Sequence, residues 1–591
     1  MIKARAATWA GFVAIAAAIL ACGFVRWPLS EALVRDSLNV QAIPGSTLRW
    51  ASPDAASFRA LPWPSLHFYN ARLNAAGGSL LSAPEARVDL SLGGLLRGRL
   101  TPTRAILVSP IVVIDLDAPP FSAGGSLARL LNIRRALAPL TDISLANGVV
   151  RIVDKNHNFD TVIEDVRGRV EGIGTTGKLS ANLSAVWRDT PLTLSGSLAA
   201  LEQGGGVNAL LVGLKSPVAD LAFVGGLALA GAPSLNGNVM LSVRSISGLS
   251  RLSGLAPPVF LASDDMAISG KIKVSPGDLT LGDATITSAA QTLQGALRIS
   301  EFRGRAVVSG TLDSEQLAIE PLFGSPKPFL TEDGRWSRRP FALSMPRDFD
   351  LDLRLSAALL DIYGQTLTNA AASVLLKGEE LTVSLIEAAA YGGKIEGEAR
   401  LSQSAGELDL RARAKIADAD FGAAFSDLNL PIGSGAGTAE FAIATGGRAP
   451  ADAISRLKGT ATLVIEQGSL DGVNLEEALR RSQRRPLELP REMRAGETSF
   501  DRLSIATLIG GGVAHIGNGD LLARGLSARL RGDIDLTLET LDLTFDAMQT
   551  DASGEASKDA ARLSLAITGP WAAPTLRLAS PAEAKPPSTR D

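Results

Sequence analysis

The chain has 591 residues, of which 46% are hydrophobic but only 5% aromatic, and its formal net charge is −3. This balance carries no basic stripe and gives no reason to expect nucleic acid as a partner. The single cysteine, Cys22, excludes a disulfide within the chain, and no Ser/Gly/Pro-rich or charged block divides the sequence before its tail.

Residues 6–25 form an apolar run in which only Thr8 is clearly polar. As a helix, 20 residues at ~1.5 Å each span ~30 Å, the thickness of a bilayer's hydrocarbon core. Lys3 and Arg5 precede the run, which places the N-terminus in the cytoplasm and the bulk of the chain across the membrane. Two other readings stay open: a cleaved signal peptide, and a lipoprotein in which Ile19-Leu20-Ala21-Cys22 is the processing site and Cys22 the lipidated residue.

A short helix is expected over 29–40, and strands begin at 48–51. Pro62-Trp63-Pro64 makes a stiff corner before Leu66, Phe68 and Tyr69. Residues 106–115 read as strand interrupted by Pro110, and 127–137 as a helix with Leu127, Leu130, Leu131 and Leu137 on one face. From Ile143 the rhythm is regular: alternating runs end at Gly, Asn or Asp every ~10–15 residues, as in a meandering sheet. Helical breaks are expected near 246–255, 315–322, 421–428 and 451–457. The 59 glycines, about one residue in ten, suit many tight turns.

The alternation is cleanest in the second half. Leu351, Leu353 and Leu355 alternate with Asp352 and Arg354; Leu408 and Leu410 open a run whose other face carries Asp409, Arg411, Arg413 and Lys415. Residues 530–539 read as one strand with Leu530, Ile534, Leu536 and Leu538 on one face, and Leu541, Leu543 and Phe545 continue the pattern. Period-two alternation marks a sheet apolar on one face and wet on the other. The expected fold is therefore mainly β: an N-terminal transmembrane helix, then a long, curved, mostly antiparallel sheet forming an apolar groove, with a few short helices. Roughly 30 strands at ~4.8 Å would extend on the order of 140 Å if unbroken. Candidate groove-lining residues are Leu351, Leu353, Leu355, Leu408, Leu410, Ile534, Leu536, Leu538, Leu541, Leu543 and Phe545. The competing reading is a sandwich interior filled by its own side chains.

No catalytic signature is present. His67, His157 and His515 are far apart in sequence, and there is no H-E-x-x-H, C-x-x-C, P-loop or G-x-S-x-G. Gly510-Gly511-Gly512 and Gly517-Asn518-Gly519 read as turn or bulge glycines. No enzyme activity and no cofactor are expected. One basic stretch stands out after the helical pattern at 474–481, where Asn474 is placed to cap and Leu475 and Leu479 to turn inward. Arg480, Arg481, Arg484 and Arg485 there are candidates for contact with anionic headgroups, against a plain solvated loop balanced by Glu476, Glu477, Glu488 and Glu492.

Several stretches carry a resemblance. Residues 459–475 read GTATLVIEQGSLDGVNL; a helix, then ETSFDRL at 497–503, GDIDL at 532–536 and GPWAAPTL at 569–576 follow. This order resembles the C-terminal domain of the AsmA family, as do Ala390-Tyr391-Gly392-Gly393-Lys394, Pro62-Trp63-Pro64-Ser65-Leu66 and the N-terminal anchor. The resemblance implies an anchor at 1–28, an elongated β-groove at 29–389, an AsmA-like C-terminal domain at 390–578 and a disordered tail at 579–591. It further implies a single-pass protein of a bacterial inner membrane with its bulk in the periplasm, related to bridge-like lipid transporters. The implied partners are phospholipid acyl chains, the inner membrane and outer-membrane or periplasmic proteins. The implied role is glycerophospholipid movement toward the outer membrane and support of its integrity. The alternative is a structural or chaperone-like envelope protein assisting outer-membrane protein assembly.

Overall fold

The computed structural model describes residues 21–30, 49–51, 54–75, 78–99, 101–115, 140–154, 159–172, 178–199, 207–228, 234–253, 263–302, 305–323, 329–331, 333–341, 349–404, 406–427, 432–472, 474–482, 496–551 and 560–579. The chain is mainly β with few, short helices. It divides into two compact units, residues 1–257 with 264–286, and residues 258–263 with 287–591.

The first unit holds β1 (Trp27–Pro28), β2 (Arg49–Ala51), β3 (Ala55–Arg59), β4 (Ser65–Ala75), β5 (Gly78–Leu90), helix α1 (Leu92–Leu95), β6 (Pro102–Val108), β7 (Ile111–Asp115), β8 (Asp142–Asp154), β9 (Phe159–Glu171), β10 (Lys178–Trp187), β11 (Thr190–Ala199), β12 (Val207–Lys215), β13 (Ala219–Ala228), β14 (Ser234–Val243), α2 (Ile246–Ser253), β15 (Met266–Ser275) and nearly all of β16 (Asp278–Ser288). The break at Pro110 separates β6 from β7 as expected; both lie parallel to β8. From β8 to β15 each strand is antiparallel to the next.

Register gives this unit one apolar face. Leu194, Leu214, Leu221, Leu241 and Ile268 stand in one cross-strand row, and Val212, Phe223 and Val239 in the next. The Phe223 ring lies over Gly225 and Gly237, where added Cβ atoms would come within 2.6 and 2.9 Å of its Cζ. Those two glycines let a single aromatic ring lie across two neighbouring strands, β13 and β14.

The second unit holds β17 (Gln291–Phe302), β18 (Arg305–Ala318), α3 (Ile319–Phe323), β19 (Phe349–Ile362), β20 (Gln365–Lys377), β21 (Glu380–Ala390), β22 (Gly393–Ser404), β23 (Glu407–Asp420), α4 (Phe421–Asp427), β24 (Ile432–Gly447), α5 (Pro450–Ser455), β25 (Lys458–Asp471), α6 (Leu475–Ser482), β26 (Glu497–Gly510), β27 (Val513–Ala523), β28 (Leu526–Asp535), β29 (Thr540–Gln549), β30 (Arg562–Pro570) and β31 (Thr575–Leu578). β18 and β19 are parallel, so the chain between them must return the length of a strand. From β19 to β31 every successive pair is antiparallel.

One expectation is corrected here. Residues 530–539 are not a single strand: β28 stops at Asp535 and a tight turn leads into β29. Asp535 Oδ1 accepts from the amides of Thr537 (2.9 Å) and Leu538 (2.8 Å), and Glu539 adopts φ 60°. An aspartate that satisfies the two following amides offers the chain a turn in place of a ladder. Leu536 and Leu538 therefore belong to the turn, and Leu538 is 71% exposed.

Most of the membrane span expected at 6–25, its residues 6–20, lies outside the described residues, as do residues 31–40 of the helix expected at 29–40, the helix expected at 127–137 and the tail from 580. Among the described residues no helix is long and apolar enough to cross a membrane. Cys22 is exposed with a free thiol.

Candidate functional site: an apolar face with two closed borders

The apolar face of the second unit is built by register. Leu353, Val374, Val383, Ala399, Ala412 and Ile443 stand opposite one another across β19 to β24. Leu355, Ala372, Leu385, Gly397, Ala414, Phe441 and Ala461 form the neighbouring row on β19 to β25. Leu351, Leu353, Leu355, Leu408, Leu410, Ile534, Leu541, Leu543 and Phe545 all fall on this face; Leu536 and Leu538 do not, for the reason given above. The opposite face is charged. Glu398 lies between Arg400 (2.7 Å) and Arg413 (2.9 Å), and Lys415 pairs with Glu440 (2.8 Å). Both arginines hold the Glu398 carboxyl below its usual range.

Along one set of strand ends the apolar face is sealed. Asn474 caps α6, its Oδ1 accepting from the Glu477 amide (2.9 Å), and the Leu475 amide donates to Thr498 Oγ1 (2.9 Å). Such a cap is worth about 1 kcal/mol. It holds Leu475, Ala478 and Leu479 down on Ile465, Phe500, Leu503, Leu526, Leu563 and Leu565, all nearly or fully buried. Phe421 and Phe425 of α4 stack at 5.5 Å; Phe421 belongs to this cluster and Phe425 packs against it. A second cluster, Leu317, Ala357, Leu360, Leu367, Ala370, Ala388 and Ala390, continues the seal beneath Ile319 and Leu322 of α3.

The other strand ends are drawn together by α5, two turns and a strap. The Gly512 amide donates to Leu457 O (3.1 Å), the Leu536 amide to Gly512 O (2.9 Å), and the Trp336 indole N–H to Leu536 O (2.8 Å). Gly512 has φ 79°, and a Cβ there would meet Thr537 Oγ1 at 2.5 Å and Ile454 O at 2.6 Å, so only glycine fits. Trp336 lies on a strap, residues 329–331 and 333–341, within the crossover from β18 to β19. The strap is fixed to α5 and its approach by Ala451 N–H to Ser337 O (3.0 Å) and Phe341 N–H to Arg448 O (2.9 Å). Sequence reading missed this border: a lone tryptophan bonded to a carbonyl 200 residues away leaves no local pattern.

Between the borders the face is only partly covered. Leu353, Val374, Ala399, Ala412 and Ile443 are half-buried; Val383 and Phe441 are 37% and 40% exposed. Small residues such as Gly397, Ala399, Ala412 and Ala414 leave its floor shallow.

The structure describes only part of the basic stretch and two of the three histidines. Arg480 pairs with Glu477 on the exposed side of α6; Arg484, Arg485 and the Arg481 side chain lie outside the described residues. His515 contacts Asp533 (2.6 Å) on the wet face, and His157 is outside the described residues. His67 is buried, 3.3 Å from Ser65 Oγ and 3.7 Å from Glu85. Burial, with the positive charges of Arg26, Arg59 and Arg87, holds its imidazole below the ordinary value. Among the described residues no group of three or more His, Cys, Asp or Glu is placed to hold a metal.

A sheet charged on one face and apolar on the other, its apolar face only partly covered between two borders, defines the class: a mainly β protein with a partly open apolar face. Residues 331–518, from the strap to β27, match the model of the AsmA family, so this third of the chain is AsmA-like. No curated protein and no solved structure matches the chain.

Proposed function

We propose that the protein holds glycerophospholipids with their acyl chains on the apolar face and conducts them from the inner membrane toward the outer membrane, which supports outer-membrane assembly. The observation that carries this reading is the half-exposed apolar floor running across β19 to β25 between two closed borders. A water-soluble sheet does not leave such a surface bare without a partner for it. Headgroups stay in water at the margin, because burying an unpaired phosphate is costly. The run at residues 6–25 tethers the chain at the source of lipid, and the match of residues 331–518 to the AsmA family fits bridge-like lipid transport in the envelope. Conduction is passive, and the chain's own residues supply only the surface.

The test is extraction and mass spectrometry of lipid co-purifying with the full-length protein in a mild detergent, beside an unrelated single-pass protein prepared identically. Glycerophospholipid enriched over that control is the expected result. Lipid at the control level would refute the reading and favour a structural envelope protein.

A further inference from the structure

We propose that Arg335, Arg338 and Arg339 on the strap, with Arg448 beside them, form the headgroup rail of the apolar face, taking the phosphate of a glycerophospholipid; this rests on the lipid-conducting reading above. Three observations meet at this border. The first is position. The strap joins Arg448, at the end of β24, and Ala451 of α5 to Leu536 at the turn after β28, so it runs along the border where β24 to β28 meet. It lies where the strand ends bound the apolar floor, opposite the border sealed by α4 and α6.

The second is charge. Arg335, Arg338 and Arg339 are exposed, and none has an ion-pair partner among the described residues. Arg448 and Arg456 share one carboxylate, Glu407, at 3.5 and 3.9 Å. Against these five arginines stand Asp333 on the strap, Asp452 of α5 and the shared Glu407. Guanidinium groups present paired donors that match phosphate oxygens. The third is the neighbouring apolar surface. Phe329 and Leu330 on the same strap are each 45% exposed, and the Phe329 and Phe341 rings lie 6.2 Å apart. A margin with apolar side chains beside unpaired arginines matches a lipid at its glycerol, where acyl chain meets phosphate. Backbone bonds at Ser337 and Phe341 and the indole bond of Trp336 fix the strap, so the arginines are held at the border.

The test uses the purified full-length protein and two probes carrying the same fluorescent acyl chain, phosphatidylglycerol and diacylglycerol, which differ by the phosphate headgroup. R335Q/R338Q/R339Q is expected to weaken phosphatidylglycerol binding about tenfold and to leave diacylglycerol binding unchanged. R335K/R338K/R339K should retain most of the binding, and R480Q all of it. With the wild-type protein, added salt should weaken phosphatidylglycerol binding alone, a readout independent of any variant's folding. Wild-type phosphatidylglycerol binding by the glutamine variant overturns the rail and leaves the strap as a brace. Equal loss of both probes also overturns it, since the phosphate then plays no part. A wild-type protein that binds neither probe overturns the lipid-conducting reading itself.

Discussion

Val383→Arg and Leu565→Arg ask the same question at two places on one face. Val383 lies on the open floor, opposite Val374 and Ala399, and is 37% exposed. Leu565 lies under the sealed border and is 2% exposed. Full burial of a valine or leucine side chain is worth about 1.5–3 kcal/mol. Replacing the partly buried Val383 therefore forfeits about 1 kcal/mol, while the arginine stem lies along the floor and its guanidinium reaches water. At Leu565 no such route exists, and an unpaired buried charge adds about 3–5 kcal/mol to the lost burial. Hydrogen exchange followed by peptide mass spectrometry reads each site locally. V383R should speed exchange of the β20–β22 amides about fivefold, leave the sheet folded, and lower co-purifying lipid. L565R should strip protection from β28 to β30 altogether. If V383R removes protection around β21 as completely as L565R does around β30, the floor is a packed interior and the reasoning fails.

Two further outcomes follow from other parts of the chain. Gly511 and Gly512 both have positive φ, but open space surrounds the Cβ position of Gly511 while that of Gly512 meets Thr537 and Ile454. Gly511→Ala should cost about 1 kcal/mol of backbone strain, and Gly512→Ala at least about 2 kcal/mol more from the clash; equal denaturation midpoints would refute the close approach of these turns. His67 has a folded-state pKa below its unfolded value, so the unfolded chain binds the extra proton first. Its contribution to stability is present above the unfolded pKa of about 6.5 and is lost as pH falls from there toward the folded value. Exchange at β3–β5 should quicken over that window, and His67→Gln should remove this dependence.

What the sequence determined by itself is local. Strand pattern depends on which residue stands next but one, so the alternation at 351–355, 408–416 and 541–545 and the break at Pro110 were legible without neighbours. The cap at Asn474 and the inward Leu475 and Leu479 were legible for the same reason, since a helix start is written within four residues. Leu536 and Leu538 were misread because their alternation continues in phase through a turn, and only the Asp535 side chain, bonded to two amides, ends the strand. Tertiary structure alone decided which parts of the apolar face are sealed and which are open. That depends on where α4 and α6 fold back, and on a strap whose tryptophan meets a carbonyl 200 residues on. Burial is a property of what arrives from elsewhere in the chain. Val383 and Leu565 carry the same alternating signal, and the fold leaves one partly exposed while closing a helix-packed cluster over the other.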